Sequence, residues 1–68
     1  MTILEAIKEM KKGKICRNNV RQGVYCIKNN AFGNKDLHWQ CLAYNQNDWI
    51  ADALELDEIT AKWEVVNE

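Results

Sequence analysis

The segment that most constrains the fold of this chain is residues 56–66, where a tight turn leads directly into a short apolar strand. Asp57 is placed to cap a single helical turn through its side-chain oxygen, and Ile59 is then expected to point inward. Residues 63–66 have the pattern of a short closing strand. A Trp directly after a tight turn can fill a small core with one large side chain, so we assign Trp63 to the core.

One large core residue matters because the chain has only 68 residues. A domain of this size buries about 60% of the surface that its unfolded chain exposes. Many such domains add a disulfide, a metal ion or a partner subunit. We predict a single domain over residues 1–68, and of the three devices we expect the partner subunit.

The cysteine content argues against a disulfide framework. The chain has three cysteines, Cys16, Cys26 and Cys41, so one stays unpaired even if the other two bond. The first residues lack the basic and apolar regions of a signal peptide, and no apolar run approaches the roughly 20 residues that span a bilayer. We therefore expect a soluble protein of a reducing cytoplasm that does not associate with membranes.

The charge balance argues against one class of partner. Nine Lys and Arg residues oppose ten Asp and Glu residues, for a formal net charge of −1, which is not the pattern of a general nucleic-acid binder. The charges are separated along the chain, because most basic residues precede residue 36 and most acidic residues follow residue 47. A locally basic face for a small anion is compatible with this distribution.

The N-terminal segment predicts a helix over residues 3–12. Thr2 and Glu5 have the spacing of a capping box, in which each side chain accepts the backbone N–H of the other residue. Apolar residues then recur at helical spacing and form one stripe. Gly13 is placed to end the helix in the left-handed conformation.

The rest of the chain predicts short strands separated by turns. Residues 14–17 predict a short strand, and residues 24–29 and 37–44 predict two longer strands joined by a segment rich in Asn, Gly and Asp. The segment that begins at residue 49 is either a strand or an extended coil. The predicted fold class is α+β: an N-terminal helix packs on a small antiparallel sheet, and a short helical turn precedes a C-terminal strand.

We expect the two longer strands to form a hairpin in which Cys26 lies nearly opposite Cys41, with the helix covering the face that carries both. The other face is too apolar for an exposed sheet surface. A second copy of the chain is its simplest cover, so we predict a homo-oligomer, either a dimer or a tetramer. The alternative is that residues 49–56 fold back over this face within one monomer. The predicted uncovered face carries Tyr25, Ile27, Leu42 and Tyr44.

The sequence offers little for catalysis or metal binding. Nucleophilic catalysis needs a base beside the nucleophile, and the single histidine, His38, is expected to lie beside rather than opposite any cysteine. The cysteines and His38 lack the paired spacing of structural zinc sites, so buried reduced thiols are the simpler interpretation. We predict no enzyme activity, no catalytic residue, no metal and no cofactor. The acidic residues Asp52, Glu55, Asp57 and Glu58 are interpreted as a solvated stretch.

The remaining candidate is a donor-rich segment that follows the helix. Residues 17–22 contain two arginines and three side-chain amides, groups that suit phosphate, ribose and base edges. We predict that Arg17 binds a phosphate and that Asn18 binds a ribose or a base edge. Tyr25 or Trp39 is expected to stack on the ligand. The alternative is a solvated loop beside aromatic residues of the core.

Several positions at the two ends of the chain form a recognisable pattern: residues 6–14 with their Gly-Lys end, Arg17, Asp57, Ile59, Trp63 and Glu64. Together with the order of elements, these positions resemble the small phage proteins of the type-two Thoeris anti-defence family. Members of that family usually carry Arg-x-x-Trp after the Gly-Lys pair, whereas Val20 stands at the Trp position in this chain. Residues 60–62 also depart from the usual closing motif.

The resemblance implies a non-enzymatic protein that assembles as an oligomer and sequesters nucleotide immune signals, such as glyco-cyclic ADP-ribose or cyclic oligonucleotides, in pockets between subunits. The expected function is a phage-encoded sponge that acts in the cytoplasm of the bacterial host and binds its signal without cleaving it. One relative of the family inhibits Cas9, so the alternative is a protein-binding inhibitor of a defence effector or another host protein. The acidic C-terminal half agrees with that alternative, because acidic inhibitors compete for basic nucleic-acid-binding surfaces.

Overall fold

The structure, a computed structural model, describes residues 1–41 and 49–67. These residues form a five-stranded antiparallel sheet with a helix packed on one face, which confirms the predicted α+β class. The elements in chain order are α1 (Ile3–Lys11), β1 (Cys16–Asn18), β2 (Val24–Asn29), β3 (Lys35–Gln40), β4 (Ile50–Ala51), α2 (Leu56–Ile59) and β5 (Trp63–Val65). In the sheet the strand order is β4-β3-β2-β1-β5. Among the described residues, no helix is long and apolar enough to cross a membrane.

Helix α1 forms as the sequence predicts and ends one residue before the predicted boundary. The Thr2 hydroxyl accepts the Glu5 N–H at 3.3 Å, and the Glu5 carboxylate accepts the Thr2 N–H at 3.0 Å, which completes the capping box. Gly13 follows the helix with a φ of +95°, a left-handed conformation that glycine adopts without a Cβ clash. The apolar stripe buries Ala6 and Met10 against the sheet.

The core lies between α1 and the face of the sheet that carries Tyr25. Tyr25 and Trp63 are both buried there, with ring centroids 5.3 Å apart and ring planes inclined at 55°. The predicted core position of Trp63 and the predicted closing strand β5 are therefore confirmed. Seven partly buried apolar residues pack around this centre: Ile3, Ile7, Ile27, Leu37, Trp39, Leu54 and Val65.

Two short strands flank the predicted hairpin in the sheet. β1 begins two residues later than predicted and pairs with both β2 and β5, and its Arg17 lies opposite Glu64 of β5. The segment after residue 49, whose type the sequence left open, contributes β4, which pairs antiparallel with β3.

The predicted register of the β2–β3 hairpin is wrong. Cys26 pairs with His38 rather than with Cys41. The turn is shorter than predicted because Asn30 organises it: the Asn30 side-chain oxygen accepts the Asn34 N–H at 3.1 Å, and the Asn30 N–H donates to the Asn34 carbonyl at 2.7 Å. β3 therefore begins two residues earlier than predicted.

The register error also explains why the wrong face was predicted to be uncovered. A shift by an odd number of residues moves each side chain of a strand to the other face. Leu37 consequently pairs with Ile27, and α1 covers the face that carries Ile27 and Tyr25. The argument that this face requires a second subunit is thereby removed. Leu42 and Tyr44, the other residues of the predicted face, lie outside the described residues.

The turn before β5 differs from the prediction in its cap and in the side chain that it buries. Helix α2 begins at Leu56 with Glu55 at the cap position, so Asp57 lies within the helix and does not cap it. Ile59 is 45% exposed, whereas Glu58 is fully buried. Donors from three parts of the chain satisfy the Glu58 carboxylate, which allows a charged side chain to take the inward position.

Candidate functional site

An open groove of about 550 Å³ lies beside β1. One wall consists of residues 17–24, which run from β1 through a loop to the start of β2, and the other consists of residues 62–64 at the start of β5. We call this cleft the loop groove and residues 19–23 the groove loop. Arg17 and Asn18, two of the four predicted ligand residues, line the loop groove.

Asn19 ties the two walls of the loop groove together. Its N–H donates to the Lys62 carbonyl at 3.1 Å, and its side-chain oxygen accepts the Lys62 N–H at 3.0 Å. This pair continues the β1–β5 ladder by one position, so the groove loop starts from a fixed point. It also places Lys62 at the edge of the loop groove, a position that only the pairing of β1 with β5 reveals.

The buried side chain of Asn18 fixes the conformation of the groove loop through hydrogen bonds. Its Oδ1 accepts the N–H groups of Val20 and Arg21, both at 2.9 Å, and its Nδ2 donates to the Glu58 carboxylate at 3.2 Å. The Asn18 side chain is buried. Because both ends of the amide hold the fold together, the prediction that Asn18 binds a ribose or a base edge does not fit this structure.

Glu58 anchors this arrangement beneath the loop groove. The Tyr25 hydroxyl donates to the Oε1 atom that also accepts Asn18, and the Glu55 N–H donates to Oε2 at 2.7 Å. The Trp63 indole N–H donates to the Glu58 carbonyl at 2.9 Å. A buried carboxylate needs such partners because burying an unpaired charge is very costly. The prediction of a solvated acidic stretch is therefore wrong for Glu58.

Tyr25 is fully buried, and its ring has no free face for a ligand. Burial raises the pKa of the Tyr25 hydroxyl, and the Glu58 carboxylate that accepts its hydrogen bond raises it further. Arg21, whose Nη1 lies 3.4 Å from the hydroxyl oxygen, opposes this shift. Tyr25 is thus a neutral donor in the core, and the prediction that it stacks on a ligand does not fit its position.

Arg21 and Trp39 support the groove loop as a pair. The Arg21 Nη1 bonds to the Asp52 carboxylate at 2.8 Å, and its guanidinium carbon lies 3.8 Å from the centroid of the Trp39 ring. The Trp39 indole N–H donates to the Gln22 carbonyl at 2.9 Å. Trp39 does not line the loop groove, and Arg21 covers one face of its ring. Trp39 therefore supports the groove loop, and the prediction that it stacks on a ligand does not fit its position outside the loop groove.

Gly23 permits the groove loop to lie close to Trp39. A Cβ at this position would lie 2.5 Å from the Gln40 carbonyl oxygen and 2.5 Å from the Trp39 Nε1. The φ of +107° is in addition a backbone conformation that L side chains rarely adopt. The path of the groove loop is thus fixed by its backbone as well as by its side chains.

Arg17 is the predicted ligand residue whose side chain remains accessible. It pairs with Glu64 across the β1–β5 ladder, and the two side chains are 57% and 58% exposed. Exposed ion pairs contribute about 0–1 kcal/mol, so an incoming anion can displace Glu64 from Arg17 at small cost. Lys62 is also exposed and makes no salt bridge within the described part of the chain.

The loop groove therefore presents two exposed cations and the amides of Asn19 and Gln22 on a fixed frame. Arginine forks and ammonium groups suit phosphate oxygens, and amides suit hydroxyls and base edges. Within residues 1–41 and 49–67, no group of three or more His, Cys, Asp or Glu side chains is placed to hold a metal ion.

Comparison with known proteins finds no relative: no family model, no curated protein and no solved structure matches this chain. The resemblance to phage anti-defence proteins accordingly stays a prediction from the motifs.

Proposed function

We propose that this protein is a non-catalytic binding protein that holds a small anionic ligand in the loop groove. The observation that carries the proposal is the placement of two exposed cations, Arg17 and Lys62, at the edges of a groove whose loop is fixed from below. Arginine binds phosphate through paired, charge-assisted hydrogen bonds, and lysine adds a point charge.

The proposed ligand is a nucleotide-derived immune signal of the cyclic nucleotide or cyclic ADP-ribose type, which a phage protein sequesters in the cytoplasm of its bacterial host. This part of the proposal rests on the resemblance of the two ends of the chain to phage anti-defence proteins. The exposed amides of Asn19 and Gln22 support it, because a nucleotide offers hydroxyls and base edges beside its phosphates.

Sequestration requires tight binding, and the rigid frame of the loop groove favours it. Ordering a flexible loop upon binding costs roughly 0.5–1.5 kcal/mol for each side chain that becomes fixed. The contacts of Asn18, Gly23 and Trp39 already hold the groove loop, so a ligand gains affinity without that cost.

Assembly is part of this proposal, since a second copy placed over the open side of the loop groove would enclose the ligand. Light scattering at micromolar concentration tests it. We expect the mass of a dimer or a tetramer, and a mass near the 7.9 kDa of one chain would contradict assembly.

The experiment for the binding function is a calorimetric titration with a panel of cyclic dinucleotides, cyclic trinucleotides and cyclic ADP-ribose isomers. At least one member is expected to bind, and mass spectrometry after heat release should recover that ligand intact. A degraded ligand would show an enzyme instead of a sponge. Failure of every member to bind would reject the nucleotide as the ligand.

One observation favours a second candidate function, a protein-binding inhibitor of a bacterial defence effector or another host protein. Phe32 is 89% exposed at the tip of the β2–β3 hairpin. The Asn30 side chain accepts the Phe32 N–H at 2.9 Å, so a structured turn presents the ring. Aromatic side chains, Phe among them, are enriched at protein interfaces relative to the rest of the surface.

A pair of variants separates the two functions. Phe32→Ala is expected to abolish capture of a host protein by an inhibitor and to leave nucleotide binding unchanged. Arg17→Ala is expected to weaken nucleotide binding and to leave capture of the host protein unchanged. A host protein retained in stoichiometric amount by Arg17→Ala but lost by Phe32→Ala would favour the inhibitor over the sponge.

A further inference from the structure

A second cleft, of about 220 Å³, lies between α1 and the β2–β3 hairpin. Ile7 of α1, the paired residues Ile27 and Leu37 of the hairpin, and Leu54 form its apolar walls. All four side chains are only partly buried. The cleft shares no lining residue with the loop groove, so it is a separate surface.

Two lysines give this cleft a charged end. Lys11 lies one helical turn after Ile7, and Lys35 lies two residues before Leu37 on the same face of β3. Each lysine is therefore the neighbour, on the same face of its element, of a residue in the apolar wall. Both lysines also line an adjoining cleft of about 480 Å³. Neither makes a salt bridge within residues 1–41 and 49–67.

The acidic side chains nearby do not cancel this charge. Asp36 also borders the cleft, but strand alternation directs its side chain to the face opposite Leu37, and its Oδ1 accepts the Leu37 N–H at 2.9 Å. Glu9 pairs with Lys12 at 3.6 Å. The cleft thus combines an apolar end with a cationic end, an arrangement that matches a molecule with a short apolar chain and one anionic head.

We propose that this cleft is a second binding site and that it takes a small amphiphilic anion, namely a medium-chain acyl carboxylate such as octanoate. The acyl chain lies among the four apolar side chains, and the carboxylate lies between the Lys11 and Lys35 ammonium groups, each of which offers three N–H donors. The cleft is smaller than the roughly 300–1,000 Å³ of sites for drug-sized ligands, which excludes a long acyl chain.

The test is a titration of the isotope-labelled full chain with sodium octanoate, followed by ¹H–¹⁵N correlation spectra. Saturable shifts are expected at Ile7, Leu37 and Leu54. Acetate, which has the head without the chain, and octylammonium, which has the chain with the opposite charge, should leave these signals in place. No saturable shift with octanoate, or equal shifts with octylammonium, would overturn the proposal.

Matched variants on one helix test the role of the charge. Lys11→Glu should weaken octanoate binding at least about tenfold, as expected for the loss of a charge-assisted contact. Lys8→Glu makes the same charge change at an exposed position outside the cleft and should bind octanoate like the wild type. Equal affinities of the two variants would overturn the proposal. Neither result depends on the nucleotide titrations, because the two sites share no lining residue.

Discussion

The Tyr25 hydroxyl donates a hydrogen bond to the Glu58 carboxylate, and both side chains are fully buried. β2 supplies the donor and α2 supplies the acceptor, so the contact joins the sheet to the C-terminal turn. Asn18 donates to the same carboxylate oxygen and also holds the groove loop through Val20 and Arg21. The buried hydrogen bond between Tyr25 and Glu58 is thereby coupled to the conformation of the exposed groove loop.

This coupling predicts a loss of stability when the donor is removed. Tyr25→Phe should lower the free energy of unfolding by about 1.5–3 kcal/mol, because a hydrogen bond to a buried charged group is lost. Urea denaturation measures the effect. In a double-mutant cycle with Glu58→Gln, the two changes should be non-additive by at least about 0.5 kcal/mol. Additive effects would show that the two side chains do not act together.

The raised pKa of Tyr25 predicts how stability changes at alkaline pH. Burial and the Glu58 hydrogen bond favour the neutral hydroxyl in the folded protein, so its pKa lies above the ordinary value of 10.0. The stabilisation is fully present below about pH 10 and is lost as the pH rises further, because the unfolded chain gives up this proton first. Urea midpoints from pH 8 to pH 11 should fall more steeply for the wild type than for Tyr25→Phe. Parallel declines would contradict the assignment.

Two glycines with positive φ predict different costs for the same substitution. Gly23→Ala should destabilise the fold by about 2–4 kcal/mol, because the new methyl group meets Trp39 and Gln40 in addition to the backbone strain. Gly33→Ala is the matched control, since nothing lies within 4 Å of its Cβ position, and it should cost only about 1–2 kcal/mol. Thermal unfolding of both variants compares them. Equal losses of stability in the two variants would show that a methyl group at position 23 fits beside Trp39 without a clash.

The cysteines predict low thiol reactivity in the native protein. Cys16 and Cys26 are buried, and burial raises the pKa of both thiols, so they stay protonated at neutral pH. A thiol-reactive dye such as DTNB should label them slowly in buffer and rapidly in urea. Cys16→Ala and Cys26→Ala identify the contributions of these two residues among the three thiols of the chain. Fast labelling of either residue in buffer would contradict its buried position.

Local sequence signals predicted the elements that depend on neighbouring residues. The Thr2–Glu5 capping box and Gly13 define α1, and the range of β2 agrees with the predicted 24–29. The position of Trp63 directly after a turn predicts its place in the core, where the structure has it. These features are set by short-range hydrogen bonds and by apolar periodicity, which the sequence displays directly.

Features that depend on contacts between distant residues could not be predicted in the same way. The hairpin register depends on how the Asn30 side chain closes the turn, and an error in that register reversed the predicted faces. By its residue type Glu58 is expected at the surface, and only the fold shows that Tyr25 and Asn18 donate to its carboxylate in the core. One signal was available, because Glu58 lies three residues after Glu55, the spacing at which a side chain accepts the N–H of the N-cap residue.

The central claim, that the loop groove binds an anion through Arg17, is tested most directly by titrating the cyclic nucleotide panel into Arg17→Ala and Glu64→Gln. Arg17→Ala should weaken binding by about 10- to 150-fold through the loss of a charge-assisted contact. Glu64→Gln should strengthen it by up to about fivefold, because the competing carboxylate no longer pairs with Arg17. Opposite changes in affinity are the predicted result. Unchanged affinity in a folded Arg17→Ala, or weaker binding by Glu64→Gln, would contradict the account.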